Sequence, residues 1–324
     1  MSKGVVPPDY PRVRDLGGGV LQIDTGHVGN PGTIGVFAFR LPRGGFALVE
    51  SGPGSTQAAV EHGLEQAGLD PAELRYLLLT HIHLDHGAAA GGLLANSADA
   101  QLVVHEVGAP HMVDPSRLMN SAERVYGDML EPLWGRMQAV DQNRVTAVAG
   151  EEVIDLGGRK VTVLATPGHA SHHVSYLLDD GTLFTGDSAG VRLSGAQVVR
   201  PALPPPDLNL EVWEDSVARM LTAEPERLIL THFGPIDGRA AADEHLQQVV
   251  QRNRHWSEHI LAGLRAGETD AELTERMQRL EDQELAEAHV LPGIRQRYKV
   301  TSDAAMTVTG VKRYLTKSGI YQPE

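Results

Sequence analysis

The sequence predicts an α/β fold followed by a helical C-terminal extension, on two observations. Between about residues 20 and 235, short apolar runs alternate with helix-like segments and with turns rich in glycine and proline. Such β-α-β alternation is typical of a sheet with helices packed outside it. After about Gly238 the apolar spacing becomes purely helical. We therefore expect an α/β domain over residues 10–237 and a helical extension over residues 238–324.

The composition excludes several classes of protein. Of 324 residues, 41% are hydrophobic and 22% charged, which is typical of a soluble globular protein. No run approaches the roughly 18 apolar residues of a membrane span, and the N-terminus MSKGVVPPDYPRVRD lacks the apolar core of a signal peptide, so we expect a cytoplasmic location and no membrane contact. The absence of cysteine excludes disulfides and thiolate ligands. A net charge of −14 without a Lys/Arg cluster argues against nucleic-acid binding.

Strands are predicted first along the chain. Residues 20–23 alternate weakly, and residues 35–41 and 46–49 form two apolar runs around a Pro/Gly turn, which favours a hairpin. Helical spacing follows from Ser55 to Gly68. The apolar run 77–79 is then a further buried strand.

That strand leads into a dense group of metal-binding side chains. His81 and His83 share one face of an extended segment, and Asp85 and His86 follow where the backbone can turn. Imidazole and carboxylate together are ligands for zinc, iron or manganese. A single histidine at a strand end is commonly a surface residue. Three histidines and an aspartate within six residues instead predict a metal site.

Three later segments repeat the design of an apolar run that ends in a polar side chain. A predicted hairpin over residues 153–164 leads through Thr166-Pro167-Gly168 to His169, where proline and glycine permit a rigid, close bend. Residues 183–185 lead to Asp187, whose two carboxylate oxygens could bridge two metals. After a predicted helix over residues 210–221, the last predicted strand, 227–232, ends at His232, and Gly234-Pro235 stops it.

These segments resemble the metallo-β-lactamase superfamily. THIHLDHG matches its HxHxDH signature, and TPGH at 166–169, FTGD at 184–187 and LTH at 230–232 resemble its later ligand stations. The resemblance covers about residues 20–235 and implies an αββα four-layer sandwich, with residues 10–237 as the catalytic domain. It implies two divalent metal ions, with zinc expected first and iron or manganese as alternatives. The implied ligands are His81, His83 and His169 for the first ion, Asp85, His86 and His232 for the second, and Asp187 as the bridge.

Two residues near these ligands have two interpretations each. Glu50 stands where the family usually has an aspartate that supports the metal site, so it either supports the ligands or is a solvated carboxylate at a strand end. His173 resembles by position a histidine that supports the ligands without binding metal, and the alternative is an ordinary hydrogen-bonded residue.

The candidates for substrate contact also have two interpretations each. The helical insert 106–140 offers His111, Arg117 and Tyr126, which are otherwise surface and packing residues. Arg192 and Arg200 could meet an anionic substrate or lie in a surface connection. The apolar stripes of the C-terminal helices, including a last helix from Ser302 or Asp303 to about Leu315, indicate core packing, with a cap over the site or a homodimer contact as alternatives.

The expected activity follows from the implied metals. A metal lowers the pKa of bound water from near 16 to roughly 7, so hydroxide held by two metals would attack the substrate and Asp85 could orient it. We expect a metal-dependent hydrolase of a small-molecule thioester or ester (lactone), as in the glyoxalase-II-like branch that the sequence resembles. The alternatives are a phosphodiesterase on a small phosphodiester, a non-haem iron oxidoreductase of the same superfamily, and a metal-binding protein without turnover. The sequence assigns no substrate-binding residue.

Overall fold

Two β-sheets stack face to face at the centre of the protein. The computed structural model describes residue 10, residues 12–301 and residues 303–322. One apolar cluster contains side chains from both sheets, and Phe37 and Phe184 meet across it with ring centroids 5.7 Å apart. This cluster is the central layer of the core.

The first sheet has seven strands in chain order. Strands β1 to β4 pair antiparallel, and the pairs from β4 to β7 are parallel. The strands are β1 (Val13–Asp15), β2 (Val20–Asp24), β3 (Gly35–Arg40), β4 (Phe46–Val49), β5 (Leu74–Leu78), β6 (Gln101–His105) and β7 (Val145–Val148).

The second sheet has six strands in the order β13-β12-β11-β10-β9-β8, in which only β11 and β12 pair parallel. The strands are β8 (Val153–Asp155), β9 (Lys160–Ala165), β10 (Val174–Leu178), β11 (Thr182–Phe184), β12 (Arg227–Leu230) and β13 (Gly234–Asp237).

Helices cover the outer face of each sheet. The first apolar cluster joins the first sheet to helices α1 to α6, and a second joins the second sheet to α7, α8, α9 and α11. The four-layer αββα sandwich is therefore confirmed. The helices are α1 (Gln57–Gln66), α2 (Leu84–Gly87), α3 (Ala90–Ala95), α4 (Ala109–Val113), α5 (Ser116–Tyr126), α6 (Leu130–Trp134), α7 (Leu210–Thr222), α8 (Arg239–Arg265), α9 (Asp270–Glu287), α10 (Pro292–Thr301) and α11 (Ala304–Lys317).

The strand at 227–232 is not the last one, so that prediction was wrong. The chain turns at residues 231–233 and returns as β13, which pairs antiparallel with β12. Gly234-Pro235 therefore begins a strand instead of ending the sheet. Strands β1 and β7 were not predicted, whereas the hairpins around residues 42–45 and 156–159 are confirmed.

The C-terminal helices pack as their apolar stripes predicted. Trp256 of α8 and Met277 of α9 are buried in the same cluster as Leu228 of β12. Because helices on both sides of residue 238 share this cluster, the domain boundary at 237/238 stays a prediction. Helix α11 begins at Ala304, with the carboxylate of Asp303 accepting a hydrogen bond at its N-terminus.

Some sequence-based expectations concern residues that the structure does not describe. Most of the N-terminal stretch and Ser302, the alternative start of the last helix, lie outside the described residues. Among the helices that the structure describes, none combines the length and the apolar character needed to cross a membrane.

Candidate metal centre

The structure brings all seven predicted ligands to one edge of the two sheets. His81 and His83 follow β5, and Asp85 and His86 lie in the short helix α2. His169 lies on the turn between β9 and β10. Asp187 lies three residues after the end of β11, and His232 lies two residues after the end of β12. Their ligand atoms form three overlapping groups in which the atoms lie within 4.8 Å of one another.

The first donor group contains three imidazoles and one carboxylate oxygen. His83 Nδ1 lies 3.0 Å from His81 Nε2 and 2.9 Å from His169 Nε2. Asp187 Oδ2 lies 3.4 Å from His169 Nε2. Nitrogen and oxygen atoms that converge in this way fit a divalent metal ion.

The second donor group lies on the other side of the same carboxylate. Asp85 Oδ2 is 3.4 Å from both His86 Nε2 and His232 Nε2. Asp187 Oδ1 is 3.3 Å from His86 Nε2 and 3.4 Å from His232 Nε2. Asp187 therefore presents one oxygen to each group. His86 Nε2 and Asp187 Oδ1 are buried without a hydrogen-bond partner among the described residues, as expected for atoms reserved for a metal.

Backbone carbonyls fix the tautomer of two ligands. His169 Nδ1 lies 2.8 Å from the carbonyl oxygen of Ala202, and His232 Nδ1 lies 2.7 Å from that of Thr33. A carbonyl oxygen can only accept, so each Nδ1 carries the hydrogen and donates it. Each Nε2 then keeps its lone pair for a metal, which is how ligating histidines are usually oriented.

Glu50 orients predicted ligands through buried hydrogen bonds. Its side chain is fully buried, and Oε1 accepts hydrogen bonds from Thr80 Oγ1 at 2.6 Å, His86 Nδ1 at 3.0 Å and Thr231 Oγ1 at 3.1 Å. Because Thr80 gives its hydroxyl hydrogen to Glu50, its oxygen accepts from His81 Nδ1 at 3.0 Å. Glu50 thus sets the tautomers of two ligands, and the interpretation as a solvated strand-end carboxylate was wrong.

His173 fixes the position of Asp187. It is fully buried, and its Nε2 accepts a hydrogen bond from the backbone N–H of Asp187 at 3.1 Å. Its Nδ1 faces the hydroxyl groups of Thr166 and Ser188. Gly186 leaves room for this contact, since a Cβ there would lie 2.6 Å from His173 Nε2. The structure thus places His173 beside the ligands as a support.

The charges of the site favour a cation. Burial alone would lower the pKa of His86, but the carboxylates of Asp85, Asp187 and Glu50 outweigh it and raise that pKa well above its usual value. For His81, burial and the neighbouring histidines lower the pKa well below its usual value, so this ligand is neutral. The carboxylates therefore attract positive charge to His86, whose proton a metal cation would replace, whereas the lone pair of His81 remains available.

A match to a family model shows to which protein family the chain belongs. A model described as "Metallo-beta-lactamase superfamily" matches residues 28–232, more than half of the chain. The chain belongs to the metallo-β-lactamase superfamily. It is 35% identical over 183 residues to a metallo-β-lactamase fold-containing protein of Sulfurisphaera tokodaii, covering 56% of this chain and 68% of that protein. The solved structure of that protein has a TM-score of 0.59 at 32% identity, over 71% of this chain and 85% of that one.

Two further comparisons extend this result. A metallo-β-lactamase family protein of Thermus thermophilus has the same fold, with a TM-score of 0.65 at 22% identity over 88% of this chain and 89% of that one. A hydroxyacylglutathione hydrolase of Acidiphilium cryptum is 32% identical over 152 residues, which are 47% of this chain and 48% of that protein. The family and the relative named as a hydrolase confirm the expectation of a metal-dependent hydrolase.

The predicted candidates for substrate contact have different surroundings in the structure of this superfamily member. Tyr126 is partly buried, and this burial, followed by the charge of Asp85, raises its pKa to about 12. Its ring meets that of Trp134 edge to face at 5.6 Å. Arg117 is exposed and His111 partly exposed, and within the described ranges neither contacts a donor group.

Arg200 has a role that neither interpretation anticipated. It is 1% exposed, forms an ion pair of 2.7 Å with Glu281, and packs between the rings of Trp256 and Tyr298. It therefore ties a loop to the C-terminal helices, and both a substrate contact and a surface connection were wrong. Arg192 is partly buried and donates hydrogen bonds within its own loop.

Two other residues beside the site are not marked by any pattern in the sequence. His27 lies on the β2–β3 loop and stacks on Trp134, with ring centroids 4.9 Å apart and an interplanar angle of 17°. A lone histidine in a glycine-containing turn has no spacing that marks it. Trp134 lies more than 100 positions away, so only the folded chain brings the pair together.

Proposed function

We propose that the chain is a dinuclear zinc hydrolase that cleaves a small-molecule thioester or ester. The observation that carries this proposal is the placement of Asp187 between the two donor groups, with one oxygen toward each. One carboxylate in this position is suited to two cations held side by side. The donor atoms are imidazole nitrogens and carboxylate oxygens, which zinc accepts.

The residues of the site would have different roles in hydrolysis. When bound, the metal ions would supply Lewis acidity and a water of lowered pKa, near 7. Asp85 has 24% of its side chain exposed, compared with 7% for Asp187. It therefore borders the side from which substrate and water arrive, and it is placed to orient a water and accept its proton. Glu50 and His173 hold the ligands in place.

Thioester cleavage has support from both chemistry and relatives. A thiol with a pKa near 8.5 leaves readily as a thiolate, so the site needs no strong proton donor for the leaving group. The chain has no cysteine that could act as a nucleophile instead. A hydroxyacylglutathione hydrolase is among the relatives described above. The net charge of −14 supports a small molecule over a nucleic acid as substrate.

Metal analysis combined with a substrate panel tests the proposal. We expect two zinc ions per chain and turnover of an acyl thioester and p-nitrophenyl acetate, both lost on chelation and restored by zinc. His83→Ala should abolish turnover, and His62→Ala, which alters a histidine of α1 that is away from the site, is the matched control. Turnover of bis-p-nitrophenyl phosphate alone, oxygen consumption, or activity that survives metal removal would each contradict the proposal.

A further inference from the structure

His27 is a buried polar residue whose contacts do not explain its presence. Its side chain is 2% exposed, and its Nδ1 is buried without a hydrogen-bond partner among the residues that the structure describes. Buried polar atoms almost always have a hydrogen-bond partner, so an orphaned ring nitrogen requires an explanation. The stack on Trp134 would be satisfied equally well by an apolar ring.

The loop that carries His27 is held on both sides. The backbone N–H groups of Gly26 and Gly32 donate to the carboxylate of Asp24, at 2.9 and 2.7 Å. Val28, the next residue, has φ +43°, a left-handed conformation that β-branched residues rarely adopt. Such a conformation persists only where the surroundings enforce it, and these positions concentrate at functional sites.

The same loop reaches the second donor group. After His27, the Thr33 carbonyl accepts the hydrogen bond of His232 Nδ1. Before it, Thr25 lies against Gly52, whose backbone N–H donates to the carbonyl of His86 at 3.1 Å. Burial lowers the pKa of His27 to about 4, so the ring is neutral and carries one N–H. Buried N–H groups without an acceptor are rarer than unused acceptors, so we place this hydrogen on Nε2.

We propose that His27 is a substrate-binding residue whose Nε2–H donates a hydrogen bond to an oxygen atom of the substrate on the Asp85–His232 side of the site. Trp134 holds the ring in place for this contact. The inference rests on the proposed function, because esters, thioesters and their carboxylate products all present oxygen acceptors. It assigns the recognition of that oxygen to a residue that contacts no metal.

Two substitutions separate hydrogen bonding from packing. His27→Phe keeps a ring to stack on Trp134 but removes the N–H, and His27→Gln keeps an amide N–H near the position of Nε2 but removes the ring. Each variant is loaded with zinc and assayed for kcat/KM on the thioester. Benzoate binding is measured separately by isothermal titration calorimetry, because the ring of Trp213 lies 5.7 Å from that of His169 and fluorescence would not report Trp134 alone.

A hydrogen-bonding role predicts a loss of about tenfold or more for His27→Phe in both kcat/KM and benzoate affinity, with a smaller loss for His27→Gln. Zinc content should be unchanged. A packing role predicts the reverse order, with His27→Phe like the wild type. The inference is overturned if His27→Phe stays within threefold of the wild type, or if His27→Gln loses as much as His27→Phe.

Benzoate binding also keeps this inference distinct from the proposed function. If the wild type hydrolyses no ester or thioester but binds benzoate, the proposed function fails, and the two variants still decide the role of His27. If the zinc-loaded wild type binds no benzoate, the inference fails, whereas turnover of the thioester would leave the proposed function standing.

Discussion

Replacing Glu50 by glutamine tests whether this carboxylate controls the ligands above it. Glu50 Oε1 accepts hydrogen bonds from Thr80, His86 and Thr231 at 2.6, 3.0 and 3.1 Å. Glutamine has nearly the same shape but no charge. Its amide nitrogen would also replace Oε2, which accepts from the backbone N–H of Thr80 at 3.3 Å. The change therefore weakens the support of His86 without opening a cavity.

The size of the effect follows from these contacts. A hydrogen bond to a charged group contributes about 1.5–3 kcal/mol, compared with about 0.5–1.5 kcal/mol for a neutral pair. The contact with His86 should therefore weaken by about 1–2 kcal/mol, and an amide N–H facing the Thr80 N–H adds to this. Partners of ligating histidines typically control metal affinity about 10–100-fold. We expect the zinc affinity of Glu50→Gln to fall by that factor.

A competition titration with a chromophoric chelator measures this change directly. Glu275→Gln is the matched control, because Glu275 is exposed and, among the residues that the structure describes, pairs only with Arg279, at 3.5 Å. Thermal unfolding of the metal-free proteins checks that both variants fold. If Glu50→Gln binds zinc within threefold of the wild type while Glu275→Gln is also unchanged, the carboxylate stabilises only the strand ends, and its role in ligand orientation is refuted.

Three further predictions concern the bridge, a buried histidine and the buried ion pair. Asp187→Ala removes an oxygen from both donor groups, so elemental analysis should show at most one zinc per chain, and turnover should fall at least about 100-fold. Burial lowers the pKa of His245 to about 4 from 6.5, so the folded protein favours the neutral imidazole. The resulting contribution to the free energy of unfolding, on the order of 3 kcal/mol, is fully present above pH 6.5 and is lost as the pH falls toward 4. Denaturant titrations of His245→Gln should show a weaker loss of stability over this pH range. Arg200→Ala should lower the free energy of unfolding by about 3–5 kcal/mol, because it leaves Glu281 buried without its partner. An activity loss at unchanged stability would instead assign Arg200 to the substrate.

The seven predicted ligand positions meet at one place in the structure because three of them follow the same kind of segment. An apolar run that crosses the core must end at the sheet edge, so the polar residue after it lies at that edge. His81, Asp187 and His232 each follow such a run. The ends of β5, β11 and β12 come together because these strands lie side by side or face to face in the sandwich.

The prediction failed where a short strand lacks a periodic signal. Residues 234–237 are only four, and they include Pro235, which normally ends a strand because it has no N–H to donate. In the structure β13 is the edge strand of its sheet, where one row of backbone groups has no partner strand. Proline is tolerated at such an edge. Position in the sheet, not local sequence, decides this case.

Arg200 shows a different limit. An arginine in a loop with four prolines has no local feature that predicts burial, and arginine is rarely buried without a partner. Its partner Glu281 and its aromatic neighbours each follow it by more than 50 residues, on α8, α9 and α10. The burial of Arg200 is therefore a property of how the C-terminal helices dock.

The orientation of the ligands depends most on groups that a sequence cannot mark. The tautomers of His169 and His232 are set by the backbone carbonyls of Ala202 and Thr33, and every residue carries such a carbonyl. A sequence pattern can therefore identify which side chains bind, but the fold decides which nitrogen is free to bind. The side chain of Ala202 contributes nothing to this contact, so the site depends on the path of its loop. That path is fixed in turn by the C-terminal helices, because Arg200, two residues earlier, is locked against them. Through this loop, the C-terminal helices thus help to orient His169, a predicted metal ligand.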